Sequence, residues 1–239
     1  MSSKSSNPSK SAARAAKTAE LRAQLERAER RRRMLMIGGV AGVLIVVLGG
    51  IIGFSIWQQS EDDERLAAAA SKNSDYGITI GPDDADHQVV VYEDFICSHC
   101  GDFEAATHEE LEDLAEEGTV QVEYRPFNLL GNVSIPNAFA VVLEESGPTV
   151  AKAYHDLLFE VQGEFFESEP DSDRLVELAV EAGAEESAVR PGIEDGAQQS
   201  WVEGATEEAA DAGVTSTPTV LLDGERFDGG PQDLLDAVG

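Results

Sequence analysis

Residues 89–103 read Val89-Val90-Val91-Tyr92-Glu93-Asp94-Phe95-Ile96-Cys97-Ser98-His99-Cys100-Gly101-Asp102-Phe103. The run of Val predicts a strand that is covered on both faces, and the two cysteines fall where that strand would enter a helix. The unpaired N–H groups at the start of a helix favour a thiolate over a thiol. A thiolate at Cys97 can attack a disulfide, and Cys100, one turn later, can resolve the mixed disulfide that results. The spacing therefore predicts reversible disulfide chemistry.

The chain is strongly acidic, but its charge is unevenly distributed. The formal net charge of the 239 residues is -29, although residues 1–33 carry ten Lys or Arg and only three Glu. So acidic a main domain argues against nucleic acid as a partner. Both cysteines lie in one motif, which excludes a small fold held together by several disulfides.

A segment without charged residues follows the basic N-terminus. Residues 34–57 would form a helix of about 36 Å, enough to cross a hydrocarbon core of about 30 Å. A cleaved signal peptide is the alternative, but its apolar region would be shorter, and the sequence after Trp57 offers a poor cleavage site. We expect a basic cytoplasmic tail at 1–33 and a single-pass transmembrane anchor at 34–57. The basic block keeps the N-terminus in the cytoplasm, so Gln58 and the residues after it lie outside the cell membrane.

The rest of the chain reads as an Ala-rich, charged linker and one soluble domain. We expect the linker at 58–75 and the domain at 76–239. The alternating or continuous apolar runs predict strands at 78–80, 88–95, 120–124, 219–222 and 226–227. Helical periodicity predicts helices at 97–117, 137–145, 148–162, 171–182, 194–211 and 231–238. The strand signal is therefore interrupted by a helical insertion at about 128–212.

The order of these elements resembles a known family. It runs strand, Cys-x-x-Cys, helix, strand, helical block, and then a Thr217-Pro218 loop before a hairpin and a last helix. Over about residues 78–239 it resembles the DsbA-like thiol–disulfide oxidoreductases, in particular their membrane-anchored bacterial members. The resemblance rests on residues 93–100 and on Thr217-Pro218. It implies an α/β protein with a thioredoxin fold, an inserted helical subdomain and a preceding transmembrane helix.

The resemblance also implies roles for five residues. Cys97 would be the attacking cysteine and Cys100 the resolving one, and together they would form the redox-active disulfide. Pro218 would be a cis-proline packed against them, and Thr217 would present its backbone to the substrate. His99, especially when protonated, would stabilise the Cys97 thiolate and make the disulfide a stronger oxidant.

Two positions depart from the family pattern. Ser98 stands where many relatives have proline, so a redox potential cannot be transferred. Val91 stands where some relatives carry a buried acid, six residues before the first cysteine. Glu93 and Asp94 lie nearer the end of the strand, and we leave both out of the expected catalytic set.

Two simpler interpretations of the cysteine motif remain open. A purely structural Cys97–Cys100 bridge would close a very short loop and stabilise the fold by only about 2 kcal/mol. A zinc site needs four ligands, and His87, His108 and His155 are scattered along the sequence. We therefore expect no metal and no organic cofactor.

The sequence thus predicts a membrane-anchored, extracytoplasmic enzyme that oxidises cysteine pairs of exported proteins. The reduced enzyme would need a reoxidant, which by family analogy is a quinone-linked membrane protein. A reductase or isomerase of the same fold is one alternative. A tethered module that binds peptides without turnover is another.

Overall fold

The computed structural model describes residues 34, 50, 63–70, 73–166 and 168–239. The chain divides into two units, Met1–Gln59 and Ser60–Gly239, and the architecture below is that of the second. The tail expected at 1–33 lies outside the described residues, as does the anchor expected at 34–57 apart from two single positions. Within the described part of the chain, no helix combines the length and apolar character needed to span a bilayer.

A five-stranded sheet with the order β1-β3-β2-β4-β5 forms the centre of the domain. Its strands are β1 (Ile78–Ile80), β2 (His87–Glu93), β3 (Val120–Pro126), β4 (Thr219–Leu222) and β5 (Glu225–Arg226). β2 and β3 are parallel, and the other neighbours are antiparallel. Tyr92 pairs with Thr219, so β4 begins beside the end of β2. This register brings the loop before β4 and the segment after β2 to the same end of the sheet.

The described residues form eight helices between and after these strands. They are α1 (Ser98–Glu117), α2 (Ser134–Ser146), α3 (Pro148–Glu160), α4 (Gln162–Phe165), α5 (Ser172–Glu181), α6 (Glu186–Asp195), α7 (Gln199–Asp211) and α8 (Pro231–Val238). α1 ends at Gly118, whose φ of 82° is a left-handed conformation that glycine adopts without strain. Asp171 caps α5 by accepting a hydrogen bond from the backbone N–H of Arg174.

Each face of the sheet is covered by its own hydrophobic cluster, because side chains alternate along β2. Val89 and Val91 belong to a cluster that includes residues of α1, α3 and α8. Val90 and Tyr92 face the other way, into a cluster with α7 and with residues 63–70. The sheet order, and the helices α2 to α7 between β3 and β4, confirm the prediction of a thioredoxin-type α/β fold with a helical insertion.

Three details differ from the sequence-based expectation. Residues 63–70, which were expected to be a linker, form a helix in which Leu66 is fully buried against the sheet. Strand β3 reads as polar and apolar residues in alternation, yet all seven of its residues are buried. Helix α6 was not predicted, since Pro191 lies inside it. The helix persists because Val189 and Ile193 are buried in the core.

Candidate active site

The two cysteines lie at the start of α1 and differ in accessibility. Cys97 is the N-cap of the helix, and the N–H groups of Cys100 and Gly101 donate to its carbonyl oxygen at 3.0 and 3.2 Å. Both residues are free thiols. Cys97 is 8% exposed, whereas Cys100 is 0% exposed. Cys97 is therefore the more accessible of the two cysteines, and it lies at the positive end of a 20-residue helix.

The loop before β4 lies directly against Cys97. The Cys97 Sγ donates to the carbonyl oxygen of Thr217 at 3.4 Å. The Thr217–Pro218 peptide bond is cis, and both residues are half-buried. The structure thus brings Cys97 together with the pair that the sequence assigned to substrate binding. His99 is exposed beside them.

Gln162 is a residue of this site that sequence reasoning missed. Its Nε2 donates to the carbonyl oxygens of Phe95 and Cys97, both at 2.9 Å, and the side chain is buried. Gly101 allows this approach, because a Cβ at that position would collide with the amide of Gln162. Gln162 begins α4, more than 60 residues after Cys97, so no local pattern points to the contact.

Asp94, which was left out of the expected catalytic set, has hydrogen bonds that show a structural role. One carboxylate oxygen accepts from the backbone N–H groups of Leu129 and Leu130, both at 2.8 Å. The other accepts from Ile96 N–H at 3.0 Å. Asp94 therefore links the turn before Cys97 to the loop after β3.

Glu93 and His155 form a fully buried pair next to the cysteines. Both side chains are 0% exposed, and the His155 Nε2 lies 2.5 Å from a Glu93 oxygen. Burial disfavours the imidazolium, but the charge of Glu93 and a hydrogen bond to Asp156 raise the pKa of His155 to about 10. Burial, and then the charge of Glu93, raise the pKa of the Cys100 thiol well above its ordinary value. Cys100 is therefore held as a thiol.

Glu93 places a buried acid on the same face of β2 as Val91, the position where some relatives carry one. Side chains two residues apart on a strand point to the same face. Val91 belongs to the cluster on the α1 side, and Glu93, two positions later, points the same way and pairs with His155 of α3. The alternation in β2 is the sequence signal that could have identified Glu93 as buried.

Glu104 is a third buried acid and was also missed. It is 3% exposed and belongs to the buried face of α1 with Cys100, Phe103, Thr107 and Leu111. Burial and the charge of Glu93 raise the pKa of Glu104 to about 8.

The site's geometry suits thiol–disulfide exchange. The more accessible cysteine at a helix N-terminus can form a mixed disulfide, and the cysteine one turn later is fully buried. The backbone carbonyl of Thr217 lies 3.4 Å from the Cys97 sulfur.

Comparison with known proteins agrees with this geometry. A family model described as Thioredoxin matches residues 73–237. The chain is similar to the reduced disulfide bond oxidoreductase DsbG of Mycobacterium tuberculosis, with 26% identity, a TM-score of 0.62, and 72% of this chain and 91% of that one covered. It is also similar to oxidised DsbA of the same organism, with 26% identity and a TM-score of 0.58 over 68% of this chain and 92% of that one.

A further solved structure shows the same fold at lower identity. The thiol-disulfide oxidoreductase MdbA of Actinomyces oris is 24% identical, with a TM-score of 0.61 over 69% of this chain and 85% of that one. Among curated proteins, no relative matches the sequence. The family match covers most of the chain and includes both cysteines and the Thr217-Pro218 loop. This protein belongs to the thioredoxin family and is a thiol–disulfide oxidoreductase of the DsbA type.

Proposed function

We propose that this chain is a membrane-anchored, extracytoplasmic oxidase that transfers a Cys97–Cys100 disulfide to cysteine pairs of exported proteins. The observation that supports this direction is the position of Cys97 at the N-terminus of α1, where the positive end of the helix stabilises the thiolate that leaves when the substrate disulfide forms. Cys100, which is 0% exposed and whose pKa is raised, stays a thiol in the mixed disulfide and is slow to expel the substrate.

In the first step, a substrate thiolate attacks the Cys97 sulfur. A bond forms between the substrate sulfur and Cys97, the Cys97–Cys100 bond breaks, and its electron pair goes to Cys100. Because burial and the charge of Glu93 raise the pKa of Cys100, this sulfur takes up a proton. As a thiol it is a poor nucleophile, so it is slow to attack Cys97 and expel the substrate.

In the second step, the other substrate thiolate attacks the substrate sulfur of the mixed disulfide. The substrate is released with its own disulfide, and Cys97 leaves as a thiolate at the positive end of α1. The substrate has then lost two electrons and the enzyme has gained them. Thr217 would hold the substrate segment through its backbone, and Pro218 would line the groove.

The reduced enzyme must pass these two electrons on. We assign this step to a quinone-linked membrane protein, by analogy with the family that the sequence resembles. The apolar segment 34–57 would hold the domain near such a partner, and the basic tail at 1–33 would place the domain outside the membrane. A membrane-impermeant maleimide applied to intact cells should label reduced Cys97. Labelling only after lysis would contradict this location.

The redox potential separates an oxidase from a reductase. The chain would be equilibrated with glutathione redox buffers and its thiols counted by alkylation. A value near about -120 mV is expected, and a value near about -270 mV would overturn the proposed direction. His99→Ala should lower the potential if His99 stabilises the Cys97 thiolate. His87→Ala, at the start of β2, is the matched control and should leave the potential unchanged.

Turnover distinguishes the enzyme from a binding module. Oxidative refolding of a reduced exported protein should be accelerated by the oxidised chain and should cease in Cys97→Ser. A rate that is equal with and without the chain would support the peptide-binding alternative. Acceleration that survives in Cys97→Ser would place the chemistry elsewhere.

A further inference from the structure

Glu93, Glu104 and His155 come together in one buried cluster between β2, α1 and α3. One ligand atom from each residue lies within 4.8 Å of the ligand atoms of the other two. None of the three side chains is more than 3% exposed. The cluster is surrounded by aromatic rings, with the Tyr124 and Phe159 ring centroids 4.8 and 5.0 Å from that of His155.

The cluster contains more acceptors than it can satisfy with its own donors. Glu93 Oε2 and both carboxylate oxygens of Glu104 are buried without a hydrogen-bond partner, and so is the Tyr124 hydroxyl. A buried carboxyl group that lacks a partner is costly in such a low-dielectric setting, above all when ionised. The raised pKa keeps Glu104 protonated at neutral pH, and its ionised form would require a cation or a hydrogen-bond donor that the described side chains do not provide.

We propose that Glu93, Glu104 and His155 bind a divalent transition-metal ion. Two carboxylates and one imidazole form a three-residue ligand set that leaves a coordination position for water. Asp156 lies 2.9 Å from the His155 Nδ1. A carboxylate in this position accepts a hydrogen bond from Nδ1–H and so leaves the Nε2 lone pair for a metal, as in carboxylate–histidine–metal triads.

Binding of a dication would displace two protons and leave the charge of the cluster balanced. Glu93, Glu104 and Asp156 contribute three negative charges when ionised, and the Lys152 ammonium, which contacts Asp156 at 2.7 Å, contributes one positive charge. With His155 neutral as a ligand, a divalent ion brings the sum to zero, the same balance that the metal-free cluster reaches when the raised pKa values keep Glu104 and His155 protonated. Lys152 also pairs with Glu112, but that carboxylate is 40% exposed and is solvated.

The distances suit a small ion of the first transition row. Ligands of a tetrahedral zinc ion are separated by roughly 3.3 Å, since Zn–N and Zn–O bonds are about 2.0 Å. The Glu93–His155 contact of 2.5 Å would have to open to reach this separation. The imidazole favours Zn²⁺ over Ca²⁺ and Mg²⁺, which prefer oxygen ligands alone.

An acidic groove lies next to the cluster. A cavity of about 500 Å³ between α1 and α3 is lined by Glu104 and Asp156, and also by Glu109 and Glu160. Like-signed charges along a groove raise the local concentration of cations. The cluster therefore has ligands, a group that orients the histidine, and an acidic groove on the side of Glu104.

Calorimetric titration with Zn²⁺ tests the proposal. The full chain, untagged and in detergent, would be titrated with Cys97 and Cys100 oxidised, so that thiols cannot ligate the metal. We expect one saturable site, weakened at least 100-fold by Glu104→Gln. The matched control is Glu109→Gln, which removes a carboxylate from the same helix and groove but not from the cluster. This control should keep the wild-type affinity.

Two outcomes of this titration would overturn the proposal. One is the absence of a saturable site in the wild-type chain, and the other is equal binding by the wild type and Glu104→Gln.

Glu104→Gln should fold, because it replaces a buried acid by a neutral amide of the same shape. If this variant does not fold, the oxidised wild-type chain would be loaded with Co²⁺ and its visible absorption bands measured in place of the comparison with the variant. Bands typical of a nitrogen–oxygen ligand set support the site, and their absence refutes it. The result does not depend on the direction of disulfide transfer.

Discussion

Cys100 should make its own contribution to the loss of stability of the reduced protein between pH 8 and pH 9.5, in addition to that of His155, whose raised pKa is common to the wild type and to Cys100→Ala. Cys100 is 0% exposed, and burial together with the charge of Glu93 raises its pKa in the folded state. In the unfolded chain a cysteine titrates near pH 8.5. The folded state therefore keeps a proton that the unfolded state loses over this range. Stability falls with rising pH wherever the folded state binds more protons.

The size of the effect follows from the linkage relation. A thiol that stays protonated in the folded state, and has a pKa of about 8.5 when unfolded, removes about 1.3 kcal/mol between pH 8 and 9.5. Well above pH 8.5 the slope approaches about 1.4 kcal/mol per pH unit. The contribution is fully present below the unfolded pKa and is lost progressively above it.

Denaturant unfolding of the reduced chain at both pH values measures the change. Cys100→Ala is the matched control, because it retains every tyrosine and the other thiol and removes only the group in question. We expect the free energy of unfolding of the wild type to fall by about 1.3 kcal/mol more than that of the variant. The oxidised wild type has no titrating thiol, so its free energy of unfolding should fall by the same amount as that of the variant. Equal losses in the reduced wild type and in Cys100→Ala would refute the assignment of Cys100 as a buried thiol.

Three further substitutions test the contacts around the site, each by the free energy of unfolding. Asp94→Asn should cost about 2 kcal/mol, because an amide cannot replace both acceptors of its three backbone N–H groups; a loss below about 0.5 kcal/mol would contradict this. Gln162→Ala should cost about 1–3 kcal/mol, whereas Gln232→Ala, on the surface of α8, should cost less than about 0.5 kcal/mol. Glu123→Ala should cost about 3–5 kcal/mol, because it removes the carboxylate 2.6 Å from the buried Arg125 guanidinium, and a neutral result would show that the pair is dispensable.

The sheet could be predicted because its information is local. β2 is a run of apolar residues between a polar turn and the cysteines, and β4 precedes an Asp223-Gly224 turn whose φ values of 52° and 82° are both positive. Helix α6 could not be predicted this way. Pro191 and Gly192 both disfavour a helix interior, and only packing reveals why Gly192 is there, since a Cβ would meet Val141 at 2.9 Å.

The candidate site was predictable where its residues are contiguous in sequence or where the family resemblance supplied them. Cys97, Cys100 and His99 lie in one motif, and Thr217-Pro218 was identified from the order of the elements that the family shares. Partners that come from the insertion had no local signature. His155 meets Glu93 across 62 positions and Gln162 meets Cys97 across 65, and long-range polar contacts of this kind depend on the folded packing. The prediction that no metal is expected rested on scattered histidines, and the fold brings one of them to two buried acids.

The insertion therefore builds part of the redox centre and does more than cover it. Gln162 of α4 donates a hydrogen bond to the Cys97 carbonyl oxygen, while the pairing of β4 with β2 fixes the position of Thr217, which lies just before β4. The 3.4 Å separation of the Cys97 sulfur and the Thr217 oxygen joins these two independently supported pieces. The packing of α3 and α4 against the sheet thus sets the position of the Cys97 sulfur relative to the Thr217-Pro218 loop. Proteins that share the Cys-x-x-Cys motif but pack their insertions differently need not share reactivity, and for that reason the redox potential must be measured on this chain.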